Sequence, residues 1–153
     1  MQLDTVTYPD ARVTEFVSRN FVGTKVDFPN APEAAKRLRV SWTPTILVLD
    51  PEGTEHHRFV GFLPPPDYLA QVTLGLGKSE LDRGNHGAAA ERFAAVVSGY
   101  PESEAAPEAL YFLGVAKYRQ TKDPSHLKTE WTKLREKYGS SEWAKKVGFA
   151  VSK

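Results

Sequence analysis

The sequence predicts an α/β first half joined to an all-α second half, and three observations carry that prediction. Thr45-Ile46-Leu47-Val48-Leu49 is an unbroken apolar or β-branched run that follows a proline and enters Asp50-Pro51-Glu52-Gly53. That is the pattern of a buried strand closed by a tight turn. Past Lys78 the strand-forming runs stop and alanine-rich helical patterns begin. Finally, Phe93 aligns with Trp131, Tyr100 with Tyr138 and Ser103 with Ser141, all at an offset of 38 (131 − 93, 138 − 100, 141 − 103). Such a period signals stacked helical hairpins. The change of pattern falls between Gly75 and Ser79 and divides the chain into residues 1–77 and 78–153.

In chain order, Asp10 is placed to cap a helix over Ala11 to Asn20, whose apolar positions Val13, Phe16, Val17 and Phe21 recur at three and four. Val22 to Asp27 follows as a short strand, broken by Phe28-Pro29-Asn30-Ala31-Pro32. Glu33 to Leu38 is a compact helix. After the Thr45–Leu49 strand and its turn, His57 to Phe62 supplies the second arm of a hairpin. Pro64-Pro65-Pro66 is rigid punctuation, and Asp67 caps a helix that begins at Tyr68 and ends near Gly75 or Gly77.

Composition narrows the function classes. The chain has 153 residues, 20 basic against 19 acidic, for a formal net charge of +1, which gives no global pull toward nucleic acid or a membrane surface. No apolar run reaches the ~18 residues of a spanning helix, and the first residues lack a charged-then-apolar signal pattern. The chain as it stands is expected to be cytoplasmic. There is no cysteine, so disulfides and cysteine-based zinc sites are excluded.

Few residues suggest chemistry. His56-His57 lies near Glu52 and Glu55, but adjacent strand residues point to opposite faces and zinc needs three or four convergent ligands, so no metal site is expected. His86 and His126 read as solvated helix-end histidines. Gly75-Leu76-Gly77-Lys78-Ser79 ends like a phosphate-binding loop, yet Val72 stands where the motif needs glycine and a helix precedes it in place of a strand. No nucleophile-elbow motif or close carboxylate pair stands out. No catalytic residue and no cofactor are expected. Tyr111, Phe112, Tyr118, Trp131 and Trp143 lie at helical spacings and read as core.

Two resemblances sharpen this picture. Phe21-Val22-x-x-Lys25-Val26-Asp27, Leu38-x-Val40, Trp42-Thr43-Pro44-Thr45, Asp50-x-x-Gly53 and Gly61 together resemble the later half of a thioredoxin-fold domain, over roughly Thr5 to Lys78. The resemblance implies that Pro44 is the cis proline that faces the redox site. It also implies that the backbone of Thr43, beside Trp42, pairs with an extended peptide. The family's Cys-x-x-Cys pair would fall at or just upstream of Met1, and a dithiol exchange needs a thiolate and a resolving thiol that this sequence lacks. The second half resembles tetratricopeptide repeats: Gly84-Asn85-His86 sits at an inter-helix turn, and Ala109, Leu113, Gly114, Ala116 and Tyr118 alternate small and large. Gly139 in place of proline and the longer period depart from that pattern.

The thioredoxin resemblance also implies that the strand normally central to the sheet precedes the chain. Its loss would cost on the order of 10–20 kcal/mol in ladder hydrogen bonds and buried side chains, against total stabilities of ~5–15 kcal/mol. Three remedies are expected to be open: a longer chain, closure of Val22–Asp27 directly onto Thr45–Leu49, or a strand supplied by a partner or a second copy in a homodimer. The expected function is non-catalytic binding of a protein or peptide partner at Trp42, Thr43 and Pro44. The alternative is a thiol-disulfide oxidoreductase whose cysteines lie upstream of Met1.

Overall fold

The computed structural model describes residues 1–151. A π-helical turn (Leu3–Thr7) leads into α1 (Ala11–Asn20), a 3-10 turn (Phe28–Asn30) and α2 (Pro32–Arg37). Strands β1 (Thr45–Leu49) and β2 (Glu55–Val60) follow, then α3 (Pro65–Asp82), α4 (His86–Gly99), α5 (Ala105–Thr121), α6 (Ser125–Lys137) and α7 (Glu142–Lys146). Among the described residues the sheet is a two-stranded antiparallel hairpin, with Thr45 opposite Val60 and Val48 opposite His57.

α1 forms where the periodicity places it. Asp10 sits in extended backbone and its carboxylate accepts the N–H groups of Arg12 and Val13, satisfying donors that the first turn cannot pair internally. The apolar stripe of α1 packs with Leu3, Ile46, Phe59, Tyr68, Leu69 and Val72 into one core cluster. A second, larger cluster lies among α3 to α7, with Phe93, Val96, Leu74 and Leu134 fully buried.

Several expectations are corrected. Val22–Asp27 is not a strand but unpaired chain, and Val22 is 98% exposed. β-propensity needs a neighbouring ladder to act on, and none lies beside this segment, so direct closure onto β1 does not occur. β1 itself is only partly covered: Val48 is buried, while Leu49 reaches solvent. The hairpin's second arm runs from Glu55 to Val60, two residues earlier than the apolar pattern places it. α2 begins at Pro32 and α3 at Pro65, both with proline in the first turn, where its missing N–H costs nothing; Asp67 lies inside that turn and does not cap it.

The helix end expected near Gly75 or Gly77 is absent, and α3 runs on to Asp82. Both glycines permit close approach. A Cβ on Gly75 would lie 2.6 Å from Val48 Cγ2, and one on Gly77 would lie 2.6 Å from Phe93 Cε1. The chain turns instead at Gly84, where φ is +83°, a value that suits glycine. The 38-residue repeat is visible in the backbone. Tyr100 and Tyr138 occupy equivalent C-terminal caps of α4 and α6, with φ of −135° and −126°, and each carbonyl accepts the N–H three residues on, from Ser103 and Ser141.

Candidate peptide-binding edge

Trp42, Thr43 and Pro44 form the approach to β1. The Thr43–Pro44 peptide bond is cis, and Thr45 Oγ1 donates to Trp42 O at 2.6 Å. Upstream, the Arg58 guanidinium donates to the carbonyls of Leu38 and Arg39 at 2.7 and 3.0 Å and to the Glu55 carboxylate at 2.6 and 2.7 Å. That fork holds the segment leading to Trp42 against β2. Its positive charge holds the Glu55 carboxyl below the usual range. The Trp42 ring is 75% exposed, so the helical second half leaves it uncovered.

The polarity of the open edge follows from one hydrogen bond. Gly61 N–H donates to Pro44 O at 2.8 Å, which sets the phase of the antiparallel ladder. Ile46 and Val48 then turn their backbone groups to β2. Thr45, Leu47 and Leu49 turn theirs away, toward an edge with no strand beside it among the described residues. These three residues offer N–H donors and C=O acceptors at alternate positions, without a charged or proline residue inside the strand to blunt the edge.

The histidine pair behaves differently from expectation. A register break between Val48 and Leu49 makes His56 a bulged residue, with Val48 opposite His57 and Leu49 opposite Glu55. A bulge cancels the alternation of faces, so both rings point to α3. His56 bonds Asp50 and Asp82 at 2.9 and 2.8 Å. His57 bonds Gln71 Oε1 at 2.7 Å through Nε2, and Lys78 Nζ lies 3.2 Å from its Nδ1. Lys78 in turn pairs with Glu108 on α5. Burial, reinforced by the Lys78 charge, pushes the His57 pKa down. Lys78 is thus committed to an internal network and not to a phosphate loop. No group of three or more His, Cys, Asp or Glu side chains among the described residues could hold a metal ion.

In the helical half, Tyr111 stacks on Trp131 with centroids 5.3 Å apart and meets Phe112 edge-on, while Trp143 packs against both. The spacing reads all five aromatics as core, but these four are only half-buried and pack against the core cluster from its margin, and Tyr118 is exposed. An open groove of ≈ 410 Å³ is lined by Val97, Leu110 and Leu113 together with Lys117, Lys133 and Lys137. Glu130, deeply buried there, accepts from Lys117 at 2.6 Å and Lys133 at 3.1 Å. The residues that sequence reasoning missed are Asp50, Asp82 and Arg58, whose roles depend on a bulge that leaves no mark in composition.

No helix among the described residues is long and apolar enough to cross a membrane. Neither the curated proteins nor the solved structures hold a match to the chain. A family model, that of the thioredoxin-like domain, matches residues 2–74. That match spans the π-helical turn, α1, α2, the hairpin and the first part of α3, and the helices α4 to α7 follow it.

Proposed function

We propose that this chain is a non-catalytic protein-binding module that takes an extended peptide as an added strand on the open edge of β1. Trp42 offers an exposed apolar surface beside the entry, Thr43 lies on the approach, and Pro44 marks where the ladder begins. The observation that carries this reading is the outward set of backbone groups at Thr45, Leu47 and Leu49, next to an uncovered Trp42. Strand addition draws affinity from main-chain hydrogen bonds and specificity from alternate side chains, and it needs no cysteine. A second copy of the chain could supply the strand, completing the sheet in a homodimer. The helical half is proposed to be a short tetratricopeptide-like array that scaffolds this edge or adds its own groove.

Selection of binding peptides from a displayed library, followed by amide chemical-shift mapping, tests the proposal. The selected peptide is expected to shift the Thr45, Leu47 and Leu49 amides, and methylation of its alternate backbone nitrogens is expected to abolish binding. Shifts confined to α4–α7, or indifference to N-methylation, would reject the edge. Sedimentation of the free chain distinguishes a second copy from a foreign peptide.

The thioredoxin-like match over residues 2–74 favours a second reading: a thiol-disulfide oxidoreductase whose Cys-x-x-Cys lies upstream of Met1. A longer chain carrying that pair should reduce a protein disulfide that the present chain leaves intact, and equal inactivity of the two removes this reading.

A further inference from the structure

His56 is placed where two parts of the fold meet, and both of its ring nitrogens are engaged. Its side chain is 5% exposed; Nε2 lies 2.9 Å from Asp50 Oδ2 and Nδ1 lies 2.8 Å from Asp82 Oδ2. An ionised carboxylate only accepts hydrogen bonds, and a neutral imidazole has a single N–H. Both bonds exist together only when the ring carries two protons. Asp50 belongs to the hairpin turn: its carboxylate accepts Thr54 N–H at 2.8 Å, its N–H donates to Thr54 O and its carbonyl accepts Gly53 N–H. Asp82 is the last residue of α3, at the end of the helix whose dipole favours a cation.

We propose that His56 is a proton-operated latch that fastens the β1–β2 turn to the C-terminal end of α3 while its imidazole is doubly protonated, and releases α3 when one proton leaves. The surrounding charges set which bond breaks. Asp50 is fixed by Thr54 and nearly buried, whereas the Asp82 side chain is 60% exposed and water can solvate it once free. The neutral ring therefore keeps its Nε2–H on Asp50 and turns a lone pair toward Asp82. On its own strand, Glu55 is paired with Arg58. His57, the next residue, faces Lys78 from α3, with Glu108 from α5 behind it, so Asp50 and Asp82 are the charges in direct contact with His56.

Burial alone lowers the His56 pKa, and the hydrogen bonds to Asp50 and Asp82 outweigh it, so the net shift is upward. The latch is fully closed below the unfolded histidine value of about 6.5 and is lost as pH rises through the folded value.

The test is an NMR titration of the His56 ring nitrogens in the intact chain, with hydrogen exchange of the turn amides followed across the same pH range. The expected results are a ring doubly protonated at pH 6, a midpoint above the ordinary histidine value, and a fall in that midpoint in Asp82→Asn. Protection of the Gly53 and Thr54 amides, corrected for intrinsic exchange, should drop about tenfold above the midpoint, as for one hydrogen bond to a charged group. In His56→Gln it should not vary with pH. A neutral ring at pH 6, a midpoint unmoved by Asp82→Asn, or turn protection that ignores the titration of His56 would each overturn the latch. The wild-type titration alone decides it even if a variant fails to fold. It bears on the hairpin turn and not on peptide binding, so its failure leaves the β1 edge reading intact.

Discussion

Gly75→Ala sets two known effects against each other at one atom. In an exposed helix interior, alanine for glycine stabilises by about 1 kcal/mol through propensity. At Gly75 the added methyl would lie 2.6 Å from Val48 Cγ2, 3.0 Å from Val48 Cβ and 3.1 Å from His57 Cβ. Two of those atoms are anchored to the backbone of the hairpin, so no swing of a flexible chain end relieves them. Overpacking of this kind costs ~1–3 kcal/mol, and the anchored contacts place this site toward the upper end. The net expectation is a destabilisation of about 2 kcal/mol. With a urea m-value of about 2 kcal/mol per M, the midpoint should fall by ~1 M. Gly99→Ala is the internal reference. It lies in the last turn of α4 with nothing within 4 Å of the new methyl, so it should raise the midpoint by a few tenths of a molar unit. If the two substitutions shift the midpoint in the same direction, the close packing of α3 on β1 is wrong.

Other perturbations probe separate parts of the fold. Val22→Asp should change stability by less than about 0.5 kcal/mol in a thermal melt, because the side chain is exposed and its backbone carries no ladder; a loss above 1 kcal/mol would mean that the segment is a strand after all. Lys117→Met leaves the buried Glu130 carboxylate with Lys133 alone and should destabilise by ~1–3 kcal/mol, whereas Glu130→Leu removes the buried charge and should be neutral or stabilising. Burial pushes the Glu130 pKa up, but Lys117 and Lys133 hold it below its ordinary value. Its stabilising contribution is therefore present above the unfolded carboxyl value of about 4.3 and lost as pH falls through the folded one. Lys117→Met should flatten that acid limb in urea titrations at a series of pH values. Removal of the Asp10 cap by Asp10→Ala should lower helicity by circular dichroism, and the same helix end should loosen as pH falls toward the depressed Asp10 value of about 2, set chiefly by its hydrogen bond to Arg12.

What was legible from residues alone is what local physics determines. The Asp10 cap and the 3-4 spacing of Val13, Phe16 and Val17 place α1 to the residue, and the Tyr100/Tyr138 repeat recurs as matched helix caps. Glycine misled at positions 75 and 77. Its backbone freedom and its small size give the same letter, and only the partners Val48 and Phe93 show that size is what matters. Val22–Asp27 misled for the opposite reason: its strand pattern is genuine, but a strand is a property of a pair, and sequence shows only one member. Exposure of Trp42 was equally hidden, because it depends on where the helices after α3 travel.

One inserted residue organises the chemistry around the hairpin. In a regular strand, His56 and His57 would face opposite sides, and so would Glu55 and Arg58. The bulge at His56 shifts the alternation by one, so that 56 and 57 share the α3 face while 55 and 58 share the other. The consequences are measurable on both sides. Toward α3, His56 reaches Asp82 and His57 reaches Gln71 and Lys78. On the far face, Glu55 meets Arg58 at 2.6 Å, and the guanidinium so oriented binds the Leu38 and Arg39 carbonyls ahead of Trp42. Deletion of His56 would restore strict alternation and undo the two sets together: Arg58 could no longer hold Glu55 while reaching Leu38, and Asp82 would lose its partner. The approach to β1 and the tie to α3, though on opposite faces, thus depend on a single irregularity in β2.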